Sequence, residues 1–245
     1  MLLLTSILSV LLQASLVVHV IKTGRNQIWI WALILLPLAG PIAYVAVEIL
    51  PDLFRSRTAQ RTARGLKKAM DPTADLRRYE GEARIAGNVA SRQRYAQELV
   101  RHERYDEGIA QYTQALTGLY QHDPNLMLGL AQAQFAKGDA HAARVTLDEL
   151  IANNPDFRSP AGHLLYARAL EAEGDTARAL EEYSVLAPAY PGAEAAVRYA
   201  QLLQAQGRTA EAQKVARELL EQARIAPAHY TRAQRQWLDA AQRLL

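Results

Sequence analysis

Between Pro124 and Arg224 one pattern returns three times, and a weaker copy precedes it. From Pro124 the frame reads Ala131, Gly138, Asp139, Ala143, Leu147, Leu150 and Pro155. From Pro160 it reads Ala167, Gly174, Asp175, Ala179, Tyr183, Leu186 and Pro191. A third copy keeps Ala200, Gly207, Ala212, Ala216 and Leu219, so that the marker glycines lie 36 and then 33 residues apart. A period of this length belongs to a chain of stacked supersecondary units, each too small to bury its apolar face alone.

The spacing reads as two antiparallel helices per unit. Each glycine falls where a first helix ends in a left-handed residue, a conformation that costs glycine no Cβ clash, and Asp139 or Asp175 then caps the second helix. Alanines at 131 and 143, 167 and 179, 200 and 212 leave room for close helix contact, while Leu130, Leu147, Leu150, Tyr166, Tyr183 and Leu186 supply apolar bulk. The weaker copy covers residues 89–120, with Tyr95, Ala96, Leu99, Gly108, Tyr112 and Ala115 in frame and Glu103 where the other copies have glycine. Downstream, Tyr230, Trp237, Ala241 and Leu244 fall on one face of a closing helix over 227–245, opposite Arg232, Arg235, Gln236, Asp239 and Gln242.

This pattern of apolar or aromatic residues, alanines and a closing proline resembles the tetratricopeptide repeat, departing from it at Gln134, which replaces an aromatic, and at Arg224, which replaces the last proline. The resemblance implies an α-solenoid with repeats at about 89–123, 124–159, 160–192 and 193–226. It also implies that the first helices line a groove for a protein or peptide partner, with Gln97, Arg101, Gln132, Phe135, Arg168, Glu171, Gln201 and Gln204 on it. Some repeat proteins of this kind clamp a peptide carboxylate with Lys and Asn; the corresponding places hold Gln93, Gln97, Gly129, Ala161 and Leu165, which argues against that ligand.

The first 50 residues are of a different kind. Residues 1–21 carry no formal charge, and about 20 helical residues span the roughly 30 Å hydrocarbon core of a bilayer. A cleaved signal peptide is the rival reading, but there is no basic start and a second apolar run, residues 28–50, follows a short polar turn. The expected arrangement is therefore a transmembrane hairpin over residues 1–50, with spans at about 1–21 and 28–50 and a kink in the second at Pro37, Gly40 and Pro41. Trp31, Leu35-Leu36-Pro37, Gly40 and Tyr44 within this pair of spans resemble the N-terminal membrane domain of cardiolipin synthases and other phospholipase D-type proteins.

That resemblance invites an enzyme reading, which the remainder of the chain refuses. Phospholipase D-type chemistry needs a His-x-Lys-x4-Asp motif, and none of the histidines at 19, 102, 122, 141, 163 and 229 has a lysine two residues later. The absence of cysteine excludes disulfides, thiolate nucleophiles and cysteine metal sites, and the scattered histidines form no metal-ligand spacing, so no cofactor or metal is expected.

Residues 51–88 read as a basic juxtamembrane linker followed by a helix over 73–86. Residues 81–245 carry 18 basic and 20 acidic side chains, so the net charge of +3 comes from upstream, where Arg55, Arg57, Arg61, Arg64, Lys67 and Lys68 stand without one acidic residue between them. By the positive-inside bias this cluster belongs in the cytoplasm, which puts both termini of a two-span hairpin there, and it can also lie on anionic lipid. Nucleic acid is a poor fit for so short a cluster tied to a membrane. Taken together, the fold class is all-α, a two-helix transmembrane hairpin followed by a tetratricopeptide-repeat α-solenoid. The expected function is a non-enzymatic scaffold at the cytoplasmic face of a bacterial inner membrane. The alternative is an accessory of cardiolipin-type phospholipid metabolism.

Overall fold

The computed structural model describes residues 2–24, 26, 28–36, 39–49 and 71–245, the side chains of 2–12 and 49 excepted. The basic cluster from Arg55 to Lys68 lies outside the described residues. Two compact units are present, Met1–Ala74 and Asp75–Leu245. Every regular element among the described residues is helical.

In the second unit, α4 (Ala74–Ala86) precedes four helix pairs: α5 (Val89–Arg101) with α6 (Tyr105–Ala115), α7 (Pro124–Lys137) with α8 (Ala140–Asn153), α9 (Pro160–Glu173) with α10 (Thr176–Leu186), and α11 (Glu194–Ala205) with α12 (Thr209–Ile225). The alanines of the sequence pattern do what their size allows. Ala96, Ala131, Ala143, Ala167, Ala179, Ala200 and Ala212 are each fully buried where neighbouring helices approach. Around them Leu126, Leu147, Leu170, Tyr183 and Leu203 fill a row of small cores shared between successive pairs. Helix α4 extends the row backwards, since Leu76 and Ala83 pack on Tyr95 and Leu99.

The turn inside each pair is the same hydrogen-bonded device. Asp139 N donates to Gln134 O and Gly138 N to Phe135 O, and the equivalent bonds recur at Asp175 and Gly174 and at Arg208 and Gly207. This is the pairing that satisfies the free carbonyls of a helix end when the next residue is left-handed. Gly138, Gly174 and Gly207 have φ of 96°, 82° and 77°. The first pair makes the same bonds, Arg104 N to Leu99 O and Glu103 N to Val100 O, with Glu103 held at φ 59°. Glutamate carries a Cβ into a region where it costs about 1–2 kcal/mol, whereas glycine costs about 0.4–1 kcal/mol through the unfolded chain. Glu103→Gly is therefore expected to raise stability by about 0.5–1 kcal/mol, read as a higher urea midpoint at unchanged slope. A lower midpoint would mean that the Glu103 side chain contributes more than its backbone strain removes.

Capping of the second helices also follows sequence. Asp139 accepts from Ala142 N at 2.9 Å and Asp175 from Arg178 N at 3.2 Å. Arginine stands in the same place in the other two pairs, and there Arg104 and Arg208 instead fork onto Glu107 and Glu211 three residues on.

Two expectations need correction. The closing element is not one helix: α13 (Ala228–Ala233) and α14 (Arg235–Gln242) meet at Gln234. The Gln234 side chain turns aside to accept the Ala193 N–H at 3.0 Å, capping the start of α11, while Ala240, Ala241 and Leu244 seal the last core. The second apolar run is likewise not a single span. Helix α1 covers Leu2–Thr23, but the run after it divides into α2 (Ile28–Leu35), α3 (Ala39–Tyr44) and a short π-helix, Val45–Ile49. Helix α3 and the π-helix lie back against α2. Trp29 Nε1 donates to Glu48 at 2.9 Å, a pair that one continuous helix would hold about 28 Å apart. Gly40 makes the reversal possible, because a Cβ there would lie 2.4 Å from the Ala32 carbonyl oxygen. Pro37 and Pro41 in the sequence disfavour a continuous helix through this point. Over the residues described in full, which leave out the side chains of residues 2–12 in α1, no helix is long and apolar enough to cross a membrane.

Candidate functional site

The first helices of the last three pairs, α7, α9 and α11, set their outward side chains in one continuous row. Phe135 of α7 lies under the Arg168 guanidinium of α9 at 4.8 Å. Arg168 reaches Glu194 of α11 at 3.6 Å, and Glu194 also accepts from Arg198 Nε at 2.8 Å. Arg198 in turn extends Nη1 to Glu171 of α9 at 3.4 Å and stacks 5.4 Å over the Trp237 ring of α14. Beneath the row the fully buried Tyr183 of α10 donates to Glu171 at 2.6 Å. Burial first, and then the Glu171 carboxylate, push the Tyr183 hydroxyl well above its ordinary value, so it stays a donor at neutral pH. Arg198 is held charged by Glu194 despite its own desolvation.

Two arginines against two glutamates leave the row formally neutral. Its side chains are one-fifth to one-third exposed, so they are fixed in place yet reachable from solvent. The Arg168 Nε is buried without a hydrogen-bond partner among the described residues. Such an arrangement offers aromatic ends and a pre-ordered set of donors and acceptors for a peptide backbone. It contains no nucleophile–base pair, and among the described residues no three His, Asp or Glu converge as a metal would need.

Of the residues expected on the groove, the structure brings Phe135, Arg168 and Glu171 together. Gln132, Gln201 and Gln204 are exposed on the same helices. At the far end Gln97 bonds the Tyr112 hydroxyl, which burial pushes up to about 12, and Arg101 pairs at 3.0 Å with the buried Glu98. Glu194, Arg198 and Trp237 were missed. The first two stand four residues apart on α11, a spacing that puts them on one helix face, and that was the available signal. A separate apolar pocket of about 380 Å³ opens between the second and third pairs, lined by Leu128, Leu150, Phe157, Tyr166 and Leu186 with the His163–Glu182 pair at its edge.

Comparison with known proteins agrees with this architecture. Residues 99–169 match the tetratricopeptide repeat family model. Among solved structures, a crystal structure of MamA is similar with a TM-score of 0.55 and 17% identity, covering 69% of this chain and 95% of that one. A thermophilic TPR protein of Thermus thermophilus is similar with a TM-score of 0.51 and 18% identity, covering 75% of this chain and 94% of that one. No curated protein matches the chain. At these identities the likeness concerns the fold: the helix pairs of residues 89–225 form an α-solenoid like that of tetratricopeptide repeats.

Proposed function

We propose that this chain is a membrane-anchored scaffold whose first-helix row holds an extended segment of a protein partner. A repeat fold of this type implies a protein partner. The observation that carries the reading is the unbroken line from Phe135 through Arg168, Glu194 and Arg198 to Trp237, flanked by the exposed amides of Gln132, Gln201 and Gln204. Gln97 and Arg101 continue it towards the first pair. The solenoid fixes these groups before any partner arrives, so little side-chain entropy is lost on binding.

The anchor in this proposal is α1, whose 22 residues reach about 33 Å. Its sequence is uncharged from Met1 to Ile21. The positive-inside bias puts Arg55, Arg57, Arg61, Arg64, Lys67 and Lys68, and with them the repeats, on the cytoplasmic side of a bacterial inner membrane, where the six charges face anionic headgroups. A second reading, an accessory of cardiolipin-type lipid metabolism, draws support from the outward apolar surface of the first unit, where Trp31, Leu35 and Ile42 are exposed.

The test is capture from membrane extract in mild detergent by the full chain, by Arg168→Glu, by exposed Gln132→Arg/Gln201→Arg, and by a chain with the six linker cations changed to glutamine. A protein partner lost with the two groove changes and kept with the linker change supports the scaffold. Retention by both groove variants sinks it, and loss with the linker change alone favours the lipid accessory.

A further inference from the structure

The first unit has a path that a pair of membrane spans does not have. Helix α2 is 8 residues long, about 12 Å, less than half of the roughly 30 Å hydrocarbon core. After the reversal at Leu36, α3 and the π-helix run back along it. Tyr44 returns to the level of His19 and Trp29, with ring centroids 6.1 and 5.4 Å away, and Glu48 returns to Trp29. Ile28 and Glu48 thus lie at the same end of the hairpin, and that end sits beside the Thr23 end of α1.

Polarity is sorted along the same axis. At the Thr23 end His19 Nδ1 meets the Tyr44 hydroxyl at 2.9 Å and the Trp29 indole meets the Glu48 carboxylate. At the other end the reversal is flanked by Ile34, Leu35 and Leu36, with 61%, 72% and 53% of their surfaces exposed. Inside, Leu16, Val20, Leu33 and Tyr44 pack as one core. A unit with apolar side chains outward, polar groups gathered at one end and an apolar tip matches one leaflet of a bilayer, not water. Beside the reversal Leu36 N donates to Ala32 and Gly40 N to Leu36, and Pro41 has no backbone donor to satisfy.

Charge gives an independent argument. If residues 28–50 crossed the membrane, Lys22 and Arg25 would face the side opposite the six linker cations. If they enter and return, all eight positive charges fall on one side, as the positive-inside bias favours.

We propose that α1 is the single crossing and that α2 and α3 form a re-entrant hairpin seated in the leaflet on the repeat side. The Leu2 end of α1 then faces the compartment opposite the repeats, in place of the shared side expected from two spans. This inference rests on the anchor reading above.

The chain has no cysteine, so single probes can be placed directly. Thr23→Cys, Gln222→Cys and a cysteine-bearing polar tag ahead of Met1 are treated with a membrane-impermeant maleimide, on intact cells and after permeabilisation. The expected result is labelling of the tag in intact cells, with Thr23→Cys and Gln222→Cys labelled together and only after permeabilisation. Labelling of Thr23→Cys from outside while Gln222→Cys stays protected means two crossings; it overturns the re-entrant hairpin and leaves the anchor standing. Protection of all three sites in a chain that resists carbonate extraction overturns the crossing by α1. Release of the chain by carbonate overturns the anchor itself and this inference with it.

Discussion

Tyr183→Ala is expected to cost the repeat unit about 3–5 kcal/mol, the range for truncating a fully buried aromatic residue. Tyr183 is 0% exposed and packs among Leu164, Ala167, Leu170, Ala179, Leu186 and Ala195, bridging the third and fourth pairs. Truncation leaves a cavity that rigid helices on both sides cannot close. Tyr183→Phe isolates the hydroxyl. It keeps the ring and removes the donor to Glu171, a carboxylate that is 31% exposed and can turn to water, so about 1 kcal/mol is expected. Urea titrations of the two variants separate ring from hydroxyl. Equal losses would show that the Glu171 contact, not packing, dominates. A pH series adds a sign. The folded hydroxyl titrates above its unfolded value, so its stabilisation is complete below the ordinary tyrosine range and is lost as pH rises beyond it. Tyr183→Phe should show less of this alkaline loss.

Ala179→Leu carries the next largest expected effect, about 1–3 kcal/mol from overpacking. Ala179 is 0% exposed on α10 and lies in the same core as Tyr183. Arg178, its neighbour in sequence, points to solvent and folds back on the Asp175 cap. Arg178→Leu should therefore barely move the thermal midpoint, because exposed pairs of this kind contribute little. Similar losses at the two positions would place α10 on the wrong face, and the Arg168–Glu171 row would have to be withdrawn with it.

The repeat helices were legible in sequence because their turns leave few alternatives. A glycine at a left-handed end, an aspartate cap and alanines at the contact points each have one low-cost place in a helix pair. Glu103 shows how far that logic extends, since stacking holds the backbone in the glycine conformation even where glycine is missing. The first unit was misjudged because hydropathy counts apolar residues and not the direction of the chain. The run over 28–50 is long enough to span, and only the approach of Gly40 to Ala32 reveals that it folds back. The row of contacts along the first helices was half legible for a related reason. Frame positions find Phe135, Arg168 and Glu171, but Trp237 comes from outside the repeat frame and meets Arg198 only after α14 has docked.

Gln234 has a consequence for the order in which the solenoid comes apart. In a linear array each unit touches only its neighbours, so the terminal unit would ordinarily peel away first and alone. Here the side chain at the α13–α14 junction holds the amide that opens α11, 41 residues earlier in the chain. Detaching the cap uncovers the Ala193 amide and the last core together. The segment from α11 to α14 therefore leaves as one cooperative block, and the array frays by a pair and its cap rather than by single helices.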